Sequence, residues 1–192
     1  MPATVVPADV RIFLGPCYYS TGLQPGRIRD RLCHSSHVQK PLMRMSRIEV
    51  PDESSMLRVG RSVAQELEFG DLVFLQGELG AGKTTIARGI LSGFGWQDAV
   101  TSPTYTLVDF YDIGGKSFYH IDLYRLQSAD ELEMAGVRDM ISPQSICLIE
   151  WPERGEGLLP EPDMEIRIRY REVGREVEIA HRPRDAHGGP GR

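Results

Sequence analysis

The chain has 192 residues, of which 41% are hydrophobic, and a formal net charge of −5. That length predicts one domain, with or without tails, and no apolar run approaches the roughly 20 residues of a membrane span. Cys17, Cys33 and Cys147 are scattered, without a disulfide framework or the spacing of a zinc site. A reducing, cytoplasmic setting is therefore expected.

Charge is unevenly distributed along the chain. Residues 1–45 contain six Lys or Arg and two acids, a balance of +4, whereas residues 46–192 contain sixteen Lys or Arg and twenty-five acids, a balance of −9. A domain this acidic is poorly suited to gripping nucleic acid by itself. If the protein acts in nucleic-acid metabolism, we expect a partner protein to hold the nucleic acid.

Residues 1–45 differ from the rest in having five prolines and no lasting helical or strand period. A secretory signal would need a longer apolar core than residues 10–14 and a cleavage pattern. A transit peptide fits the arginine-rich, acid-poor composition. A third interpretation, which we favour, is that translation starts at Met43 or Met45 and that the preceding segment is an over-extended gene prediction. On each interpretation we expect residues 1–45 to be disordered and dispensable.

The folded domain is predicted to span residues 46–181 and to open with a short strand at residues 47–50. A helix-start signal follows, with Asp52 or Ser54 as the N-cap residue. Apolar residues of helical period predict that this helix continues to about Phe69, where Gly70 ends it.

A glycine-rich segment comes next, between an apolar run of strand length and a helical stripe. Residues 77–84 fit the phosphate-loop pattern G-x-x-x-x-G-K-[ST]. In such a loop, backbone N–H groups turn toward phosphate oxygens, and the helix N-terminus adds about half a positive charge. Lys83 would reach the β- and γ-phosphates, and the Thr84 hydroxyl would bind Mg²⁺. The predicted nucleotide-binding segment comprises Gly77, Glu78, Leu79, Gly80, Ala81, Gly82, Lys83, Thr84 and Thr85.

Strands and helices alternate through the second half of the chain. Strands are predicted within residues 105–111 and over residues 117–124, 146–150, 164–170 and 176–181, with a short helix over residues 129–135. Gly114 and Gly115 predict a hairpin turn between the first two of these strands. The pattern indicates an α/β sandwich with a mixed, mainly parallel sheet and an inserted β-hairpin. Residues 182–192 should form a flexible tail.

Two acids lie where they could complete a nucleotide site. Glu150 ends an apolar strand, and ligands bind at the carboxyl edge of open α/β sheets; the alternative is an ordinary strand-end acid in water. Asp122 lies between Ile121 and Leu123, and because an unpaired buried carboxylate is costly, it faces either solvent or the nucleotide. Hydrolysis needs an acid that orders the metal shell and a group that orients the attacking water.

Other candidates have more than one interpretation. The polar segment 102–104 lies where loops that sense a γ-phosphate occur, or is a plain turn at a strand entry. Trp151 belongs either to the core or to the site. His120 has no second His or Cys at metal spacing, so a packed, hydrogen-bonded histidine is expected. The aromatic residues of the hairpin lack interleaved basic residues, which favours cross-strand packing over base stacking.

The order and spacing of several motifs resemble the TsaE family, also called YjeE, from about Ile48 to Ile179. The generic phosphate loop is joined by S-P-T-Y-T-L at residues 102–107, H-x-D-L-Y-R-L at residues 120–126 and L-I-E-W-P at residues 148–152. Together these three motifs are highly specific. Residues 1–45 have no counterpart in the family, which supports a later start of translation.

The resemblance implies a P-loop NTPase-like fold that binds ATP with Mg²⁺ and hydrolyses ATP slowly when alone. Family roles fall on Lys83 for the phosphates, on Thr84 and Glu150 for Mg²⁺, and on Asp122 for catalysis. The further site residues implied by the resemblance are Thr85, Thr104, Trp151, Glu53 and Ser55.

The resemblance also implies a role in tRNA threonylcarbamoyladenosine biosynthesis. The expected partners are the transferase TsaD and its inactive paralogue TsaB, and ATP turnover would reset the transferase between rounds. Contact with tRNA would be indirect, through that complex, and no membrane would be involved.

Other functions share part of this pattern. A nucleotide-gated assembly factor would use ATP occupancy to set its affinity for partners, and its hydrolysis would be incidental. A small-molecule kinase should have a cluster of lid arginines, but between residues 100 and 150 the chain offers only Arg125 and Arg138. A GTPase is excluded, because guanine is usually read by an N-K-x-D loop and the chain contains no asparagine.

Overall fold

Seven strands form one mixed β-sheet in the order β1-β7-β6-β2-β5-β4-β3. A computed structural model describes residues 44–183, and the predictions for residues 1–43 and 184–192 lie outside the described residues. The strands are β1 (Arg44–Val50), β2 (Leu72–Gln76), β3 (Val108–Asp112), β4 (Ser117–Asp122), β5 (Ser145–Glu150), β6 (Met164–Tyr170) and β7 (Arg175–His181). Because β1 begins at Arg44, the sheet includes two residues of the predicted N-terminal segment.

The centre of the sheet is parallel and both edges are antiparallel. β6, β2, β5 and β4 run parallel to one another, whereas the β1–β7, β7–β6 and β4–β3 pairs are antiparallel. The predicted α/β fold, its mixed sheet and the β3–β4 hairpin are confirmed. The sheet is less parallel than expected, with three of its six strand pairs parallel, because β3–β4 and β6–β7 are joined by turns that are too short for a parallel crossover.

Helices cover both faces of this sheet. α1 (Glu53–Ala64) and α2 (Lys83–Gly93) pack on one face, against Val73 and Leu75 of β2. α3 (Ala129–Met134) and α4 (Val137–Met140) cover the other face, where Leu72 points. The four-residue α4 and a 3-10 helix (Pro152–Gly155) were not predicted, because such short elements show no period. None of the helices in residues 44–183 combines the length and the apolar composition that a membrane span requires.

The first helix ends five residues before its predicted end at Phe69. The backbone N–H groups of Gln65 and Glu66 donate to carbonyl oxygens three residues back, on Ser62 at 3.1 Å and Val63 at 2.9 Å, so the last turn tightens and the helical ladder stops before Glu68. Beyond this turn the Glu68 backbone N–H donates to the Asp71 carboxylate at 2.8 Å, a local bond that holds the following residues in a non-helical turn. The chain then turns at Gly70, whose φ is +102°, and enters β2.

Two glycines let α1 and α2 cross at close range. A Cβ built on Gly60 would lie 2.5 Å from the Ile86 carbonyl oxygen and 2.8 Å from the Gly89 Cα. Both contacts are with backbone, so the added atom could be accommodated only by separating the helices.

We expect Gly60→Ala to lower the free energy of unfolding by roughly 2 kcal/mol, a typical cost of overpacking. This loss would occur although alanine is favoured over glycine in a helix by about 1 kcal/mol. Urea denaturation measures it, and Ser62→Ala, on the exposed side of the same helix, is the control. A Gly60→Ala protein as stable as wild type would mean that the helices do not pack this closely.

The N-cap of α1 makes stability depend on pH. Asp52 Oδ1 accepts the Ser55 backbone N–H at 2.7 Å, and this bond, with those to the Ser55 and Ser54 side chains, lowers the pKa of Asp52 from 3.8 to about 2. A depressed pKa means that the charged cap stabilises the fold above about pH 4 and that this contribution is lost as pH falls through 2.

Asp52→Asn should therefore flatten the dependence of stability on pH between 4 and 2, because asparagine caps helices as well as aspartate but does not titrate. Denaturation at a series of pH values compares the two proteins. An unchanged pH slope would remove Asp52 from this role.

Candidate nucleotide-binding site

The glycine-rich loop joins the carboxyl end of β2 to the start of α2. Gly77, Gly80 and Gly82 have φ of +148°, +73° and +113°, a region that residues with a Cβ rarely adopt. At Gly77 a Cβ would also lie 2.7 Å from the Ile168 carbonyl oxygen on β6. The loop can keep this shape only with glycine at these positions.

The start of α2 is open to an anion. Gly82 is the N-cap residue and has no side chain to accept the first N–H groups of the helix. Those donors, with the positive end of the helix dipole, form the usual setting for a phosphate group. The predicted positions Glu78, Leu79 and Ala81 lie in the loop, and Thr84 and Thr85 lie in the first turn of the helix.

The Lys83 side chain folds back over the loop. Its Nζ donates to the carbonyl oxygens of Gly77 at 2.7 Å and Glu78 at 3.0 Å, and lies 3.8 Å from the centre of the Trp151 ring. Only 4% of Lys83 is exposed. Burial lowers the pKa of its amine, and the nearby charge of Glu150 opposes that shift.

Glu150 connects β5 to the helix start. Its Oε1 accepts the Thr84 hydroxyl at 2.8 Å and lies 2.8 Å from His120 Nε2 on β4. Glu150 is 3% exposed, so it is not an ordinary strand-end acid in water. His120 is buried and hydrogen-bonded as expected, but the sequence did not predict its partner.

Asp122 ends β4 directly beside Glu150 in the strand register. Its Oδ2 accepts the hydroxyls of Ser102 at 2.6 Å and Thr104 at 2.7 Å, and its Oδ1 accepts the Tyr124 backbone N–H at 2.9 Å. At 2% exposure it does not face solvent. The segment 102–104 is therefore more than a strand-entry turn, because it holds one of the two buried acids.

Trp151 adopts a left-handed backbone with φ of +58° directly after Glu150. Its backbone N–H donates to the Leu75 carbonyl oxygen at 3.3 Å. Its ring contacts the Lys83 amine and the Tyr124 ring, whose centre is 5.0 Å away and whose plane is tilted by 44°. Trp151 thus belongs both to the core around it and to the site.

The predicted residues Glu53 and Ser55 direct their polar contacts away from the loop. Glu53 forms an ion pair with Arg88 of α2, and the Ser55 hydroxyl accepts from Arg58 at 2.8 Å. The α1 residue that approaches the loop is Met56, whose Cε would lie 3.1 Å from a Cβ at Gly82. A role for Glu53 and Ser55 in nucleotide binding stays a prediction.

The sequence did not predict the hydrogen bonds that Ser102 and the Tyr124 amide donate to Asp122, or the contact between His120 and Glu150. The sequence did contain a signal that could have placed His120 near Asp122, because residues two apart on a strand share a face. His120 and Asp122 were therefore bound to lie on the same face of β4. What the sequence lacked was the pairing of β4 with β5.

A glycine-rich loop of the phosphate-loop pattern lies between a strand and a helix, with a buried acid on the adjacent strand, and this arrangement resembles that of P-loop α/β proteins. The profile of the family "Threonylcarbamoyl adenosine biosynthesis protein TsaE" matches residues 50–177. The chain belongs to the TsaE family.

Individual relatives agree with that assignment. The chain is 52% identical over 135 residues to the tRNA threonylcarbamoyladenosine biosynthesis protein TsaE of Haemophilus influenzae, an alignment that covers 68% of this chain and 85% of the relative. It is 40% identical over 124 residues to the protein of the same name from Treponema pallidum, covering 64% and 91%. The crystal structure of Bacillus subtilis YdiB superposes with a TM-score of 0.60 at 27% identity, over 74% of this chain and 88% of that one.

Proposed function

We propose that this protein is a Mg²⁺-dependent ATPase that serves the threonylcarbamoyladenosine modification of tRNA. The observation that carries the proposal is the hydrogen bond of 2.8 Å from the Thr84 hydroxyl to Glu150. It joins the first turn after the glycine loop to a buried acid, and these two oxygen groups hold the metal in phosphate-loop enzymes.

Lys83 and the loop would bind the phosphate tail of ATP. The two carbonyl oxygens that Lys83 now contacts belong to the loop itself, so phosphate oxygens would replace them as acceptors of its N–H groups. A charge-assisted bond of this kind is stronger than one to a neutral carbonyl. Trp151, against the other side of the amine, would limit the directions in which it can move.

Thr84 and Glu150 suit Mg²⁺, which takes oxygen ligands and usually keeps several waters and substrate phosphates in its shell. Within residues 44–183, no group of three His, Cys, Asp or Glu side chains could hold a metal ion. The metal would therefore have to arrive with the nucleotide. Bound Mg²⁺ would neutralise charge on the phosphates during transfer.

Asp122 would accept a proton from the attacking water. Its carboxylate is held by three donors, from Ser102, Thr104 and the Tyr124 amide. Reorientation of either hydroxyl toward the γ-phosphate would release one lone pair of Oδ2, and this would link the position of segment 102–104 to the state of the nucleotide.

The relatives' names supply the pathway, and the acidic balance of residues 46–192 supports a role in which partners hold the tRNA. We propose the transferase TsaD and its paralogue TsaB as those partners, in the cytoplasm. ATP turnover would reset that complex between rounds.

The proposal is tested in a bacterial strain that lacks its own TsaE and carries this full chain. Mass spectrometry of bulk tRNA should detect restored threonylcarbamoyladenosine, and purified protein should hydrolyse ATP only with Mg²⁺. Failure to restore the modification would refute the role in tRNA, whereas absence of turnover even with TsaB and TsaD would refute the ATPase.

A further inference from the structure

His120 is the most deeply buried polar group near the nucleotide site, with no exposed surface. Its Nε2 lies 2.8 Å from Glu150 Oε1, the same oxygen that accepts the Thr84 hydroxyl. The Glu150 side chain is itself only 4% exposed, so water has little access to the pair. A mere core histidine could have been satisfied by any polar group, yet this one contacts the acid that the proposed function assigns to Mg²⁺.

The hydrogen-bond partners of His120 indicate which of its ring nitrogens carries a proton. A carboxylate that binds a metal has no proton to give, so Glu150 can only accept, and Nε2 must donate. His120 Nδ1 is buried without a partner among residues 44–183. An unpartnered lone pair on Nδ1 costs less free energy than an unpartnered N–H would, because buried donors without partners are rarer in proteins than buried acceptors without partners. The arrangement therefore fits a ring proton on Nε2, directed at Glu150.

We infer that His120 is a positioning residue for the metal-binding carboxylate, an inference that rests on the proposed function. Two donors, on His120 and Thr84, hold one oxygen of Glu150 and restrict rotation of the carboxylate. The other oxygen and the remaining lone pairs stay available to the metal. His120 lies on β4 and Glu150 on the adjacent β5, so the sheet itself fixes the donor's position.

Variants of His120 separate this role from packing. His120→Gln keeps an N–H donor at nearly the same reach, whereas His120→Phe keeps a flat ring and removes the donor. Binding of ADP to the full chain is followed by tryptophan fluorescence, first in EDTA and then at increasing Mg²⁺ concentration. Removing a group that orients a metal ligand typically weakens metal affinity by about 10–100-fold.

We expect His120→Phe to require about 10–100-fold more Mg²⁺ than wild type, with the affinity for ADP in EDTA unchanged, and His120→Gln to lie near wild type. Equal Mg²⁺ dependence in all three proteins would overturn the inference. Equal loss in both variants would also overturn it, because it would point to packing. A wild-type chain that binds no nucleotide at all would instead refute the proposed function, and the inference with it.

A measurement on wild-type protein covers the case in which His120→Phe does not fold. Histidine-selective ¹⁵N NMR distinguishes the two neutral tautomers, and the His120 signals are those absent from His120→Gln or linked to β4 neighbours. A proton on Nε2 supports the inference. A proton on Nδ1 would overturn it, because Nε2 could then not donate to Glu150.

Discussion

Replacement of Lys83 by alanine is expected to abolish detectable ATP binding. The amine already lies inside the loop, 2.7 Å from the Gly77 carbonyl oxygen, and needs only a small movement to meet phosphate. Hydrogen bonds that involve a charged group contribute about 1.5–3 kcal/mol each. Loss of two such bonds, to the β- and γ-phosphates, would weaken binding by more than about 100-fold.

Isothermal titration calorimetry with Mg-ATP measures this effect. Lys116→Ala is the matched control, because Lys116 lies at the β3–β4 hairpin and contacts the Phe69 ring instead of the loop. The melting temperature of each variant shows whether the fold survives. Undiminished ATP binding by a folded Lys83→Ala protein would refute the proposed nucleotide site.

Asp122→Asn should have the second large effect, a fall in turnover of about 10²–10⁴-fold, the usual contribution of a general base. Asparagine keeps an oxygen for the Tyr124 amide and can bond the hydroxyls of Ser102 and Thr104, so the site should hold its shape. It cannot take up a proton. The affinity for ATP is therefore expected to survive while hydrolysis is lost.

Phosphate release under single-turnover conditions measures the chemical step, with Asp112→Asn, at the exposed end of β3 beside the hairpin turn, as the control. Normal turnover in Asp122→Asn would exclude a role for Asp122 in proton transfer. The same variant tests the nucleotide-gated alternative in cells. Full restoration of threonylcarbamoyladenosine by a protein that binds ATP but does not hydrolyse it would favour a gate over an ATPase.

The sequence predicted the parts of this structure that depend on local pattern. The strand–loop–helix unit around Lys83 was recognisable because its glycines and its apolar periods are both local signals. Glu150 was a candidate because it ends an apolar strand, and Asp122 because it lies between two apolar residues; their roles at a nucleotide site stay predictions. The TsaE resemblance, confirmed by the family match, added the pathway.

What the sequence did not provide depends on contacts between distant segments. The bond between His120 and Glu150 crosses 30 residues of chain, and that between Ser102 and Asp122 requires the loop to fold back on β4. The early end of α1 coincides with tightened backbone bonds at Gln65 and Glu66 and is followed by a local bond from the Glu68 N–H to Asp71. No period or propensity in the sequence encodes those bonds.

The strand register that places Asp122 beside Glu150 fixes the two acids before any ligand binds. Main-chain hydrogen bonds between the interior strands β4 and β5 hold both carboxylates, so their separation is preorganised when the protein folds. An incoming nucleotide would incur little entropic cost in arranging them, a cost that often limits affinity. Conformational change on binding would then be confined to the Lys83 side chain and to residues 102–104, while Asp122 and Glu150 keep their positions.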